Sequence, residues 1–197
     1  RRLARLARRE GRRTAAAAAS GVALGLAFPP YGLWPLSVAA VASFGLLARG
    51  RTGRQGAWLG FAFGLPFFVV LLKWLHVVGW DLVVGLSVLE AAFFAPLGAG
   101  LAVTSRLPGR LRAPWPLWAA CLWVAQEWAR ARVPFGGFPW GRLAFGTTGT
   151  PFMRLAALGG APLVTFAVAL TGALLAAAAP AVHDAVRARR APSGRAA

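Results

Sequence analysis

Residues 49–112 read RGRTGRQGAWLGFAFGLPFFVVLLKWLHVVGWDLVVGLSVLEAAFFAPLGAGLAVTSRLPGRLR. Two arginine clusters, Arg49, Arg51, Arg54 and Arg106, Arg110, Arg112, bracket a run whose only ionisable side chains are Lys73, His76, Asp81 and Glu90. That run is long enough to cross a hydrocarbon core of about 30 Å twice, once over 57–78 and back over 82–104. Both clusters then fall on the same face of the bilayer, the cytoplasmic one by the excess of Lys and Arg that marks it. The pattern continues in both directions. Seven arginines lie in 1–13 and four in 187–195, and each cluster is separated from the next by apolar spans, 14–28 and 33–48 before this stretch, 115–133 and 155–179 after it. Seventeen of the 21 arginines thus gather on one side, against Arg130, Arg132, Arg142 and Arg154 on the other.

The expected fold is an all-α membrane protein, a polytopic bundle of about six transmembrane helices with both termini cytoplasmic. A basic N-terminal segment 1–13, a transmembrane domain 14–180 and a basic tail 181–197 that reads as truncated make up the chain. Leu3 and Leu6, at helical spacing among arginines, suit a basic amphipathic stretch on an anionic leaflet as well as a solvated tail. The first span, with its basic flank and short apolar centre, also fits a signal peptide.

Composition agrees with a membrane solvent. Hydrophobic residues make up 58% of the chain and charged residues 14%, with a mean hydropathy of +0.60, whereas soluble domains carry roughly 25% charge. The net charge of +17 does not mark a nucleic-acid binder, because the basic residues punctuate hydrophobic segments instead of lining one surface. The single Cys121, inside an apolar run, excludes an intrachain disulfide and a cysteine metal cluster. No metal-ligand spacing, Ser-His-Asp set or phosphate-cradling loop occurs, and no cofactor is expected.

Ionisable groups inside a span are costly and carry more information than surface charges. Counted from the span ends, Lys73, Glu90 and Glu127 lie roughly 8, 12 and 9 Å below the outer interface. His76 follows Lys73 by one turn, and Arg130 follows Glu127 by three residues, which makes a Glu127–Arg130 pair sterically natural. One reading is a polar pocket that meets the ester of a phospholipid or acylated substrate. The other is that Lys73 and Glu90 satisfy each other while Arg130 snorkels to the interface. Next to these groups Phe135-Gly136-Gly137-Phe138-Pro139-Trp140-Gly141-Arg142 combines rings suited to headgroups with glycines and a proline that shape a tight turn. The candidate lipid-contact residues are Lys73, Trp74, His76, Glu127, Arg130, Phe138, Pro139 and Trp140.

An ordered series of short motifs gives these features a context: Leu26-Ala27-Phe28-Pro29-Pro30-Tyr31-Gly32-Leu33-Trp34-Pro35, Gly60-Phe61-Ala62-Phe63-Gly64, Lys73-Trp74, Leu117-Trp118, Glu127-Trp128-Ala129-Arg130, Gly137-Phe138-Pro139-Trp140, then Leu155-Ala156 and Gly159-Gly160. Over about residues 20–180 this series resembles the membrane domain of bacterial apolipoprotein N-acyltransferases. The resemblance implies a multi-pass protein of the bacterial inner membrane and the last step of lipoprotein maturation. In that step a fatty acyl chain moves from a phospholipid donor to the α-amino group of a diacylglyceryl lipoprotein's N-terminal cysteine. It also implies that catalysis belongs to a Glu-Lys-Cys triad in an extracytoplasmic nitrilase-like domain that these residues do not contain. Cys121 sits mid-span without that context and is not the nucleophile. An alternative within the resemblance is a non-catalytic anchor for a polyprenol-phosphate mannose synthase-type glycosyltransferase.

Overall fold

The computed structural model describes residues 2–190 of the chain; Arg1 and the last part of the basic tail, 191–197, lie outside the described residues. The described part is all-α. Its helices are α1 (Arg2–Leu26), α2 (Pro35–Ala48), α3 (Gly53–Leu71), α4 (Trp80–Ala92), α5 (Phe94–Thr104), α6 (Trp115–Arg130) and α7 (Ala156–Arg190). α4 and α5 are two halves of one rod interrupted at Phe93, so the seven helices make six rods. Three rods are long and apolar enough to cross a membrane: Gly53–Leu71, Trp80–Thr104 and Pro151–Val182. α2 is apolar but shorter. α6 has 16 residues, and α1 joins a basic first half to an Ala-rich second half without a break.

Local chemistry sets the boundaries. Thr52 and Gln55 form a reciprocal capping box that starts α3: Thr52 Oγ1 accepts from the Gln55 N–H and Gln55 Oε1 from the Thr52 N–H, each at 3.2 Å. Pro35 opens α2 and Pro116 lies in the first turn of α6, where a missing N–H costs nothing. α7 is bent near its start, at Gly159 and Gly160, where the backbone leaves helical geometry and Gly160 takes φ 63°.

The rods close into a ring in which α1 packs on α3, α3 on α5, α5 on α6, α6 on α7, α7 on α2, and α2 back on α1. α4 lies outside the ring against α3. The centre is aromatic. Phe44 stacks on Phe63 at 4.6 Å, and Trp123 meets Phe44, Phe63 and Phe94 edge-on at 6.2, 6.2 and 5.8 Å. Edge-to-face and offset arrangements are those favoured by the ring quadrupoles. α3 reaches α5 through Gly56, Gly60 and Gly64, one residue in four, and a Cβ on Gly56 or Gly60 would overlap the carbonyl of Gly98 or Phe94. Small residues at this spacing allow the close backbone approach that membrane helices use where no hydrophobic force drives them together.

The arginine clusters at 49–54 and 106–112 gather at one end of the bundle. Arg49 donates to the Ala176 carbonyl at 3.1 Å and lies over the Trp115 ring at 5.1 Å, and Arg49, Arg106 and Arg112 line one cleft. The aromatic loop lies at the opposite end with the turns after α1 and α3, as the Trp34–Phe152 and Trp74–Trp140 contacts at 6.4 and 5.5 Å show. One element differs from the sequence expectation. The span over 57–78 ends as an α-helix at Leu71, and Lys73–Val77 forms an exposed 3-10 turn. Lys73 is therefore on the rim, not inside the helix, because the chain tightens at Leu72 to reach Gly79 and start α4.

Candidate functional site

The polar groups that the sequence places in the bilayer assemble at the loop end of the ring, with partners other than those expected. Arg130, on the last turn of α6, turns inward instead of snorkelling; it is 0% exposed, and its Nη1 donates to Glu90 Oε2 at 2.8 Å. Glu90, 1% exposed, comes from the end of α4, just before the break at Phe93. The same Nη1 donates to the Trp140 carbonyl and, at 3.2 Å, to the Phe138 carbonyl, while the Phe138 N–H returns a bond to the Arg130 carbonyl at 2.9 Å. The guanidinium also lies over the Phe68 ring at 5.1 Å. A single cation thus ties α4, α6 and the aromatic loop together and offsets part of its desolvation cost through an ion pair and a cation–π contact.

Glu127, one turn earlier on α6, does not pair with Arg130. It is 4% exposed, and its Oε1 accepts from the Leu143 N–H at 2.9 Å, its Oε2 from the Thr165 hydroxyl at 2.8 Å. It joins α6 to α7 and to the far end of the same loop. Both of the pairs anticipated from sequence, Glu127 with Arg130 and Lys73 with Glu90, are replaced by Glu90 with Arg130, because α4 and α6 bring those two side chains into the same interior layer. Among the described residues Lys73 has no ion pair.

The loop that these carboxylates and Arg130 hold has a strained turn at its start. Phe135, Gly136 and Gly137 all take positive φ, at 53°, 93° and 80°. At Gly137 a side chain would overlap the backbone of Ala131 and Arg132, so only glycine fits. Beyond it Phe138 and Trp140 stack at 6.0 Å, and Trp140 meets Trp74 at 5.5 Å. Trp74, Trp140 and Pro139 are exposed on this rim beside Lys73 and His76, and His76 Nδ1 lies 2.7 Å from the Lys73 carbonyl. Lys73, Trp74 and His76 border a cleft of about 250 Å³ between the ends of α1 and α3, floored by Gly25 and Val70.

The candidate residues therefore separate into two groups. Lys73, Trp74, His76, Pro139 and Trp140 form an exposed rim, with Phe138 half-buried beneath it. Glu127 and Arg130 are buried and shape the rim from below. Sequence reasoning did not find Thr165, whose hydroxyl reads as an ordinary helix residue until α7 is placed beside α6. The side chains available at this end are cationic and aromatic. Cys121, the single cysteine, lies elsewhere, exposed on the flank of α6 in an apolar groove with Ala125, Leu163 and Phe166. No group of three or more His, Cys, Asp or Glu residues able to hold a metal occurs among the described residues.

Comparison with known proteins places this arrangement. Residues 20–174 match the model of the apolipoprotein N-acyltransferase N-terminal domain. The apolipoprotein N-acyltransferase of Mycolicibacterium smegmatis is 47% identical over 158 residues, covering 79% of this chain and 26% of that protein. Those of Pseudomonas putida and Vibrio cholerae are 35% and 31% identical, covering 79% and 78% of this chain and 32% of each relative. The chain thus spans about a quarter to a third of the length of these relatives. With its ring of apolar helices and its inward-turned Glu90–Arg130 pair, it belongs to the apolipoprotein N-acyltransferase N-terminal domain family.

Proposed function

We propose that this chain is the membrane domain of a protein that moves a fatty acyl chain from a phospholipid to the α-amino group of the N-terminal diacylglyceryl-cysteine of lipoproteins. It anchors that protein in the bacterial inner membrane as a multi-pass bundle with cytoplasmic termini, and it presents lipid to a catalytic domain docked on the aromatic rim. The observation that carries this reading is the rim itself, held in place by Arg130 through the Phe138 and Trp140 carbonyls and lying within the region matched to the family. Trp74, Trp140 and Pro139 sit where headgroups meet the hydrocarbon, and Lys73 and His76 add cationic and hydrogen-bonding capacity beside them. Glu127 and Arg130 act through the loop and do not touch substrate.

The acyl chemistry lies outside these residues. Transfer through a thioester needs a thiolate, a base and an oxyanion site held together, and Cys121 is surrounded by apolar side chains. A chimera tests both halves of the proposal. Residues 20–174 of this chain replace the matching segment of the M. smegmatis relative, and the product is reconstituted with phospholipid and a diacylated reporter lipopeptide. Mass spectrometry should find the triacylated peptide with the chimera and none with the 197-residue chain alone. Turnover by the chain alone would refute the placement of the chemistry. An inserted, folded chimera that leaves the peptide diacylated would refute the role of the membrane domain.

A further inference from the structure

Between α6 and α7, on the flank of the bundle, two cavities share Val124, Trp128 and Pro162 and so form one continuous groove. Its lower part, about 640 Å³, is apolar, walled by Ala125, Leu163 and Phe166 and widened by the bend of α7 at Gly159. Its upper part, about 130 Å³, is bordered by Arg132, Arg142 and Glu127. The lower part is open along the side of the bundle, where a lipid chain could lie against it. From Cys121 to Trp128 the groove follows α6 for about 10 Å along the helix axis.

The charges at its head do not balance. Arg130 is neutralised by Glu90. Glu127 is the one carboxylate bordering the groove, and both of its oxygens are already occupied, by the Leu143 N–H and the Thr165 hydroxyl. Arg132 is held in place by its bond to the Trp128 carbonyl at 3.1 Å and by the Trp128 ring at 4.2 Å. Arg142 has its Nε buried without an acceptor, and neither arginine has an ion pair among the described residues. Two guanidinium groups against one carboxylate leave an excess of one positive charge directly above an apolar channel.

We propose that this groove holds an anionic phospholipid, its phosphodiester between Arg132 and Arg142 and one acyl chain running down past Ala125 toward Cys121. A phosphodiester supplies the single negative charge that the site lacks and the acceptors that guanidinium forks favour. The apolar channel requires that the anion be lipid-borne. The inference concerns binding alone and stands whether or not the chain takes part in acyl transfer.

The test uses the chain in phosphatidylcholine nanodiscs with a trace of phosphatidylglycerol that carries a photoactivatable group midway along one acyl chain. After irradiation, adducts mapped by mass spectrometry should concentrate on residues 121–128 and 159–166. Unlabelled phosphatidylglycerol should compete and added phosphatidylcholine should not. Arg132→Gln with Arg142→Gln should lower the labelling roughly thirtyfold, at about 1 kcal/mol for each of the two basic residues facing an anionic lipid. Arg132→Lys with Arg142→Lys should retain most of it, which separates lost charge from lost folding, and Ala125→Trp should block the channel with both arginines intact. Equal labelling by a phosphatidylcholine probe would mean annular lipid and overturn the proposal, as would wild-type labelling of the double Gln variant. Competition by soluble glycerol phosphate as strong as that by the lipid would assign the arginines to a soluble anion and overturn it equally.

Discussion

The Glu90–Arg130 pair makes a quantitative prediction. Both side chains are within 1% of complete burial, so neither gains solvation when the other is removed. Replacing Arg130 by Met strands the Glu90 carboxylate and releases the Phe138 and Trp140 carbonyls, and loss of one partner of a buried pair costs about 3–5 kcal/mol. Replacing Glu90 by Met strands the guanidinium, which keeps its two carbonyl partners, so its cost should lie at the low end of that range. The double variant removes both charges. If the pair is the dominant interaction, the double variant should be more stable than the sum of the single losses by at least about 2 kcal/mol, within the coupling range of about 0.5–3 kcal/mol seen for residues in direct contact. The assay is reversible denaturation of the purified chain in mixed micelles, followed by fluorescence, with Trp123 at the centre of the ring as a reporter. Additivity within about 0.5 kcal/mol would refute the pairing. The same cycle on Glu127 and Arg130 should show much weaker coupling, and the charge swap Glu127→Arg with Arg130→Glu should not restore stability, since Arg130 contacts the other carboxylate.

Other outcomes follow from the same geometry. Thr165→Val should destabilise the chain by about 1.5–3 kcal/mol, the value of a hydrogen bond to a charged group, measured in the same micelle titration. Gly56→Leu should push α3 away from the Gly98 carbonyl and cost at least about 1–3 kcal/mol, read as a lower midpoint and a broadened gel-filtration peak, whereas Gly11→Leu, with open space around it, should behave as wild type. Gly137→Val should leave the bundle folded but disorder the rim, reducing acyl transfer in the chimera without lowering its membrane yield. With Cys121→Ala, a single cysteine in place of Phe135, fully exposed in the aromatic loop, should react with an impermeant thiol reagent in spheroplasts, and cysteines at Gly53 or Gly109 should not; labelling at either of the last two would sink the assigned orientation.

The helices were legible because their signals are long-range in sequence but simple in kind. The arginine clusters and the apolar runs between them are punctuation that needs no knowledge of neighbours. The aromatic loop was legible for the same reason, through its glycines and its proline. Partner choice was not. Glu127 lies three residues from Arg130 and Glu90 lies 40 away, so helical spacing favoured the wrong carboxylate, and only the tertiary arrangement decides the matter, with α5 packed on α6 and Glu90 at the end of α4 just before α5 begins. The end of α3 at Leu71 was not legible because an apolar run does not show where an α-helix tightens into a 3-10 turn. One signal was present and unused: glycine at every fourth residue through Gly56, Gly60 and Gly64 marks the face of α3 on which another backbone rests.

The separation of 40 residues between Glu90 and Arg130 also governs how the protein is made. At about 5–20 residues per second, Glu90 leaves the ribosome about 2–8 s before its partner. In that interval α4 and α5 must enter the bilayer carrying an uncompensated carboxylate, a burden of about 2.5–3.5 kcal/mol at a helix centre for an ionised side chain. Glu127 then waits in turn for Thr165, 38 residues further on. Two rods, those of Glu90 and Glu127, are thus inserted before the partners of their carboxylates are synthesised, so assembly of the ring and closure of the loop are coupled to the order of translation. Nascent chains arrested after Glu90 has emerged from the ribosome but before Arg130 has should cross-link to translocon subunits or other membrane chaperones far longer than chains arrested after α7 has emerged.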